Sequence, residues 1–272
     1  MPKFEQGPQR LYAGKYMLTP MLRFNGHSVS PSAGDSVTPF EEHSAQKFPL
    51  GTQLDYGDRS YRYCLADSTA IATGQLCQSG VIEANGDVTD MAVDTPAVGA
   101  TSMEVTNGGN TAIAADEFAE GWLHVNDGTG EGYAYRIKGN DQMDASAAGT
   151  VFLYDSVRVA LVAASTVSLT HSKYYGVIIH PSPPTAQLVG VTNIAVTASY
   201  YFWAQTKGPC AVPNDNASTP NVQGALCRAS EVHDGFIALL DYDESSINLR
   251  EVGTTMHLNA DDEYNLVDLN LE

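Results

Sequence analysis

Short segments in which polar and apolar residues alternate follow one another along most of this 272-residue chain. Turn residues separate them at intervals of about 8 to 15 positions, close to the spacing of strands in all-β domains. The segment Arg59-Ser-Tyr-Arg-Tyr-Cys64 shows the alternation, which is typical of a strand with one buried face. The sequence therefore predicts an all-β fold of short antiparallel strands in barrel-like or sandwich-like domains, with very little helix.

Ten further segments share this pattern, and Gly, Asn, Asp or Pro bounds each of them. They are 101–106, 121–126, 133–138, 150–154, 157–162, 174–180, 188–191, 200–205, 235–240 and 247–252. Helix is predicted only in two short pieces, 114–120 and 226–232.

A glycine-rich loop between two of these segments, Asn126-Asp-Gly-Thr-Gly-Glu-Gly132, contains an Asp-Gly step. Such a step between alternating segments is a strong signal for a β-hairpin. A phosphate-binding loop would instead have to open a helix, whose N-terminal amides face the anion. Because a strand segment follows the loop, the sequence predicts a hairpin and no nucleotide site.

The charge of the chain is strongly acidic, with 14 basic and 32 acidic residues and a net charge of −18. A field of this sign repels nucleic acid and anionic membranes over about 8 Å at physiological salt. No apolar segment approaches the roughly 20 residues of a transmembrane helix, and the first residues lack the apolar core of a secretion signal. We therefore expect a soluble protein that binds neither nucleic acid nor membrane and whose partners are neutral or basic.

The first 31 residues differ from the rest, because they hold four basic residues and one acidic residue among several aromatic and aliphatic ones. Prolines at positions 2, 8, 20 and 31 exclude a long helix. Residues 1–45 are therefore predicted to form an extended arm that orders on a neighbouring subunit or surface. The alternative is a frayed terminus without a role. Arg and aromatic side chains concentrate binding energy at interfaces, so the candidate interface residues of the arm are Arg10, Tyr12, Tyr16, Arg23 and Phe24.

Changes of composition divide the rest of the chain into two parts. A main β domain is predicted over 46–94 and 173–272, and an inserted β domain over 95–172. The segment Phe48-Pro-Leu-Gly51 opens the main domain, and Pro181-Ser-Pro-Pro184 is a rigid stretch suited to crossing between sheets.

The densest aromatic group of the chain is Tyr200-Tyr-Phe-Trp203. On a strand, alternate residues face opposite sides, so both faces of this segment are aromatic. This arrangement predicts burial between two layers or a subunit contact, with a ligand platform as the less favoured alternative. Tyr201 and Trp203 are therefore added to the candidate interface residues.

Residue types that carry catalysis or bind metals are present but are not grouped in the sequence. The seven histidines are scattered, and the chain contains no nucleophile elbow, metalloprotease motif or close cysteine pair. The acidic clusters 241–244 and 261–263 are interpreted as solvated turns, with a calcium site or a pair of catalytic carboxylates as alternatives. No catalytic residue, metal or cofactor is predicted, and the chain is not expected to be an enzyme.

The four cysteines, Cys64, Cys77, Cys210 and Cys227, are too few for a disulfide scaffold. We predict buried free thiols. The alternative is a bridge between Cys210 and Cys227 that closes the Pro- and Asn-rich loop between them.

Seven segments carry a resemblance to known proteins. They are Phe48-Pro-Leu-Gly-Thr52, Tyr61-Arg-Tyr63, 70–76, Val125-Asn-Asp-Gly-Thr-Gly-Glu-Gly132, Tyr135-Arg-Ile137, Val157-Arg-Val-Ala-Leu161 and Tyr201-Phe-Trp-Ala-Gln-Thr-Lys-Gly-Pro209. In this order the segments resemble the capsid decoration, or cement, proteins that tailed bacteriophages encode beside the major capsid protein. The resemblance covers roughly residues 46–255 and leaves out the arm and the acidic end.

This resemblance implies a β-rich structural virion protein on the outer surface of the capsid, made in the cytoplasm of the bacterial host. Such proteins are commonly homotrimers that clamp neighbouring copies of the major capsid protein. The alternative is a glycan- or receptor-binding module of a phage head or tail fibre, although fibres usually show repeats or a long shaft, which this sequence lacks. A third hypothesis is a β-rich polysaccharide hydrolase that uses Asp241 or Asp243.

Overall fold

A computed structural model describes residues 37–80, 88–109, 111–215, 222–240 and 250–272, together with strand residues 10–11, 15–16, 21–24 and 27–28. The described residues form strands and turns without an α-helix, so the predicted all-β fold is confirmed. The strands are β1 (Arg10–Leu11), β2 (Lys15–Tyr16), β3 (Met21–Phe24), β4 (His27–Ser28), β5 (Gln53–Tyr56), β6 (Arg59–Leu65), β7 (Leu76–Gln78), β8 (Met91–Val93), β9 (Ser102–Thr106), β10 (Trp122–Asp127), β11 (Ala134–Asn140), β12 (Ala148–Leu153), β13 (Thr166–Thr170), β14 (Ile178–Ile179), β15 (Leu188–Thr192), β16 (Tyr201–Pro213), β17 (Leu226–Ala229), β18 (Ile237–Leu239), β19 (Glu251–His257) and β20 (Tyr264–Asn270).

The chain divides into two compact units with separate cores. The main unit is Met1–Gly80 with Tyr174–Glu272, and the inserted unit is Val81–Lys173. The inserted unit begins before residue 95, the predicted start, because β8 already belongs to its barrel.

One sheet runs through the main unit in the order β18-β17-β19-β20-β16-β6-β5-β3-β4, with β7, β14 and β15 joined to it. The 13-residue strand β16 changes partner along its length, from β6 in its first half to β20 in its second half. At this change, Nε2 of the buried Gln205 donates hydrogen bonds to the carbonyl oxygens of Lys207, Gly208 and Pro209, at 2.9–3.1 Å. This side chain therefore holds the backbone where the ladder shifts register.

The predicted arm does not stay separate from this sheet. Strand β3 pairs with β5, and Leu22 lies opposite Leu54 and is buried. Leu22 belongs to the same core cluster as Tyr63 and Trp203. Residues 21–24 are therefore part of the main unit, which corrects the predicted boundary at residue 45.

The inserted unit is a closed six-stranded barrel in the order β10-β11-β12-β9-β8-β13. Its interior is filled by the inward-facing residues of each strand, such as Leu123, Tyr135, Ile137 and Val151. Among the described strands of this unit, closure leaves no free edge that could pair with another chain.

The glycine-rich loop joins β10 to β11 as the predicted hairpin. Gly128, Gly130 and Gly132 have φ values of 81°, 92° and 85°, a region that side chains with a Cβ rarely adopt. The Asp127 carboxylate accepts a hydrogen bond of 2.8 Å from the N–H of Gly128. The loop is therefore a structural turn between two strands.

Four predicted segments differ from the structure. Segment 226–232 was predicted as helix, but it contains strand β17, and 114–120 forms consecutive turns. Segment 157–162 was predicted as a strand, but it is an irregular loop whose Val157 and Leu161 side chains are buried in the barrel core. Of segment 174–180, only Ile178–Ile179 is strand.

Candidate functional site

Four of the five arm candidates lie on described strands. In the β1–β2 pair, Arg10 lies directly opposite Tyr16. Arg23 on β3 is exposed, whereas Phe24 is partly buried. Tyr12 lies outside the described residues. The structure thus brings Arg10 and Tyr16 together and places Arg23 on the surface of the main sheet.

The two aromatic candidates of β16 have different environments. Trp203 is 0% exposed, and its ring centroid lies 4.8 Å from that of Tyr63 and 5.5 Å from that of Phe48. Tyr201 is half-buried and stacks on Tyr63 at 5.7 Å with an interplanar angle of 10°. Trp203 is therefore a core residue rather than an interface residue, since no partner can reach its side chain in the folded chain. Tyr201 keeps one accessible side.

Beside these rings, the polar side chains of Glu41, His43 and Tyr63 form a cluster. His43 Nδ1 lies 3.1 Å from the hydroxyl of Tyr63, and Nε2 lies 3.5 Å from Oε1 of Glu41. Burial raises the pKa of Tyr63 and keeps the phenol protonated. The N–H of Lys47 also donates to this hydroxyl, at 3.2 Å. The cluster therefore fixes residues 41–47 to the sheet, and sequence analysis did not identify it.

The acidic clusters do not form a site among the described residues. Residues 261–263 form an exposed turn between β19 and β20, as predicted, and Glu263 Oε2 accepts a hydrogen bond from the N–H of Ala260. Cluster 241–244, with Asp241 and Asp243, lies outside the described residues. Within the described part of the chain, no group of three or more His, Cys, Asp or Glu residues is arranged to hold a metal ion.

All four cysteines are free and buried, so the predicted free thiols are confirmed and the Cys210–Cys227 bridge is not formed. Burial raises the pKa of Cys210 and of Cys227 to about 12 and also raises that of Cys77. At neutral pH these groups are thiols rather than thiolates, and they are poor nucleophiles.

An exposed apolar surface lies on the opposite side of the sheet from the buried residues of β20. Ala211 on β16 lies directly opposite Leu266 on β20, and the same Leu266 lies opposite His257 on β19. Leu266 is 38% exposed and Met256 42% exposed. We name Ala211, Met256, Leu266 and the neighbouring Tyr264 the outer sheet face. Sequence analysis missed this face. The signal was the strict alternation of β20: because Val267 and Leu269 are buried on one side of the strand, Leu266 has to lie on the other, exposed side.

Comparison with protein-family models, with curated proteins and with solved structures found no match to this chain. In the part of the chain that the structure describes, no helix is long and apolar enough to cross a membrane.

Proposed function

We propose that this chain is a structural virion protein that binds the outer surface of a phage capsid as a homotrimer and clamps neighbouring major capsid protein subunits. The resemblance of the seven sequence segments supports the attachment to a capsid. The sheet of the main unit and the closed barrel of the inserted unit support a load-bearing role, because each is held by its own ladder of backbone hydrogen bonds.

The outer sheet face is the observation that carries this proposal. Each chain has a net charge of −18, so copies repel one another, and a contact between them needs apolar surface to offset that repulsion. The outer sheet face offers Leu266 opposite Ala211 on the adjacent strand, and the exposed Met256 lies next to His257, which Leu266 also faces. Exposed apolar patches of this kind mark contact sites. We assign this face to the contact between copies and the basic N-terminal segment to the capsid.

We expect the free protein to have the mass of three 29.1 kDa chains in light scattering after size-exclusion chromatography. Replacing Met256 and Leu266 together with Lys should convert it to single chains, because six buried ammonium groups would then face one another in a trimer. The matched control is Val98→Lys, which changes an exposed valine of the inserted unit and should leave the trimer intact. A wild-type monomer, or a Lys variant that remains trimeric, would contradict the assignment.

The N-terminal segment is tested by removing residues 1–20. This truncation keeps β3 and the buried Leu22, so the main unit should retain its unfolding midpoint. Binding to capsids of the phage that carries the gene, measured by co-sedimentation, should weaken by about ten-fold or more, because Arg and aromatic side chains dominate interface energies.

The control for charge alone compares two point variants. Arg10→Ala combined with Arg23→Ala should weaken co-sedimentation, whereas Arg158→Ala, which removes an exposed cation from the inserted unit, should not. If the truncated protein binds capsids as tightly as the full chain, the segment has no part in attachment.

A further inference from the structure

The outer wall of the barrel carries a row of aromatic and cationic side chains. Trp122 on β10 lies directly opposite Arg136 on β11, and the guanidinium carbon lies 5.6 Å from the centre of the indole ring system. Tyr154 follows β12, and its N–H donates to the carbonyl oxygen of Arg136 at 2.9 Å. Phe152 precedes Tyr154 by two positions and is exposed as well, since alternate residues of a strand share a face. We call Trp122, Arg136, Phe152 and Tyr154 the aromatic row.

The rings of this row are accessible and at the same time held in place. Trp122 is 44%, Phe152 42% and Tyr154 39% exposed. Arg136 lies over Trp122, a contact that limits rotation of the indole. Burial raises the pKa of Tyr154, with a further rise from Glu120 and an opposing effect of Arg136, so both charged groups lie near the phenol. The indole of Trp122 is therefore an ordered platform beside the guanidinium of Arg136.

The size of the row favours a ligand smaller than a protein. An aromatic side chain has about 150–250 Å² of surface, so three rings at this exposure offer roughly 250 Å². Charged side chains border the rings, with Lys138 on β11 and Glu104 on β9 both exposed. The apolar surface of the row therefore matches a small ligand in size.

The charge of the inserted unit excludes a polyanionic ligand. Arg136, Lys138, Arg158 and Lys173 are its only basic residues, and acidic residues outnumber them about three to one. Nucleic acids bind to proteins largely through neutralisation of their phosphates, which this surface cannot provide. The same field repels acidic polysaccharides. Anionic ligands are therefore excluded, and the guanidinium of Arg136 within the row disfavours cationic ones, which leaves neutral ligands.

From this arrangement we propose that the aromatic row binds a neutral glycan chain. Trp122 and Tyr154 are separated by one intervening strand, so their backbones lie about 10 Å apart across the sheet, which is about the length of two sugar rings. The apolar face of a sugar ring stacks on an aromatic ring, and Arg136, whose guanidinium carries five N–H donors, lies within the row. The site would let the protein attach to surface polysaccharide. It goes beyond the capsid role and is independent of it.

The chain itself provides the probe, because it contains two tryptophans and Trp203 is 0% exposed. Fluorescence that responds to an added glycan or to acrylamide therefore comes from Trp122. The full-length protein is titrated with linear β-1,4-linked hexasaccharides of glucose, mannose and N-acetylglucosamine, and with hexagalacturonic acid as the acidic comparison. We expect at least one neutral hexasaccharide to shift the emission to shorter wavelength and to reduce acrylamide quenching, and hexagalacturonic acid to have no effect.

Two tyrosine variants test whether binding depends on the aromatic row or on any exposed tyrosine of the inserted unit. Tyr154→Ala should weaken binding about ten-fold in calorimetry. Tyr133→Ala should leave it unchanged, because Tyr133 is equally exposed, at 41%, but lies at the hairpin end of β11 and stacks on Tyr135. Far-UV circular dichroism verifies that both variants are folded. The fluorescence titration of the wild-type protein needs no variant, so it tests the proposal even if a substituted protein does not fold.

Three results would overturn the proposal. One is the absence of any effect of the neutral hexasaccharides on Trp122 at millimolar concentration. Another is binding that Tyr154→Ala does not weaken. The third is self-association in sedimentation velocity that Trp122→Ala abolishes, which would assign the row to a protein contact.

Discussion

Replacing Trp203 with Ala is expected to lower the free energy of unfolding of the main unit by about 3–5 kcal/mol, because a fully buried indole leaves a large cavity. The cavity cannot collapse easily. Phe48, Tyr63 and Tyr201 around it are held by mutual ring contacts of 5.3 Å and 5.7 Å. The total free energy of unfolding of a domain is only about 5–15 kcal/mol, so this loss is a large part of it. The measurement is urea unfolding followed by far-UV circular dichroism.

Two further substitutions show whether this loss comes from packing. Trp203→Phe should lower the free energy of unfolding much less than Trp203→Ala. The phenyl ring fills most of the cavity, and the substitution also removes the indole N–H, a buried donor that has no hydrogen-bond acceptor among the described residues. Trp122→Ala deletes the same side chain at an exposed position and should cost less than about 1 kcal/mol. Equal losses for Trp203→Ala and Trp122→Ala would show that the aromatic core does not support the main unit.

The strands that sequence analysis predicted well are those in which alternation and turn residues agree. Segment 121–126 corresponds to β10, 133–138 to β11 and 188–191 to β15. The Asp127-Gly128 step sets the hairpin between β10 and β11, because it supplies the local geometry without help from the rest of the chain. Where local signals of this kind coincide, the sequence is sufficient to predict the element.

Elements that depend on distant partners were missed. Val157 and Leu161 were predicted as strand residues because apolar positions alternate around them. In the structure both side chains are buried, but their N–H groups bond to the carbonyl oxygens of Ala100 and Pro96 in a loop. Leu226–Ala229 was predicted as helix, yet pairing with β18 and β19 makes it a strand. Pairing of this kind overrides local propensity.

The surfaces were harder to predict than the strands. Alternation shows which residues of one strand share a face, but it does not show which residues of the neighbouring strand lie beside them. Trp122, Arg136 and Tyr154 come together only through the register of β10, β11 and β12, and β11 and β12 shift register between Ile137 and Gly139. No pattern in the sequence indicates where such a shift occurs. The density of aromatic residues directed attention to Trp203 instead, since dense aromatic segments are usually core.

Replacing Gly121 with Ala is expected to destabilise the inserted unit by about 1–3 kcal/mol through overpacking. A Cβ at this position would lie 2.3 Å from the carbonyl oxygen of Thr170 and 2.9 Å from that of Phe118. Both oxygens belong to the backbone. Thr170 is also fixed opposite Trp122 in the ladder of β10 and β13, so it cannot move away without loss of that pairing. The unfolding midpoint in urea measures the change.

Gly108→Ala provides the matched control in the same unit. A Cβ there has no atom within 4 Å, and the backbone does not adopt a positive φ. Because Ala reduces the freedom of the unfolded chain, this variant should be unchanged or more stable by about 0.4–1 kcal/mol. Changes in stability of opposite sign for Gly121→Ala and Gly108→Ala would show that the close approach of the 116–121 turn to β13 stabilises that end of the barrel. Two variants of equal stability would mean that the turn can shift away from β13 at no cost.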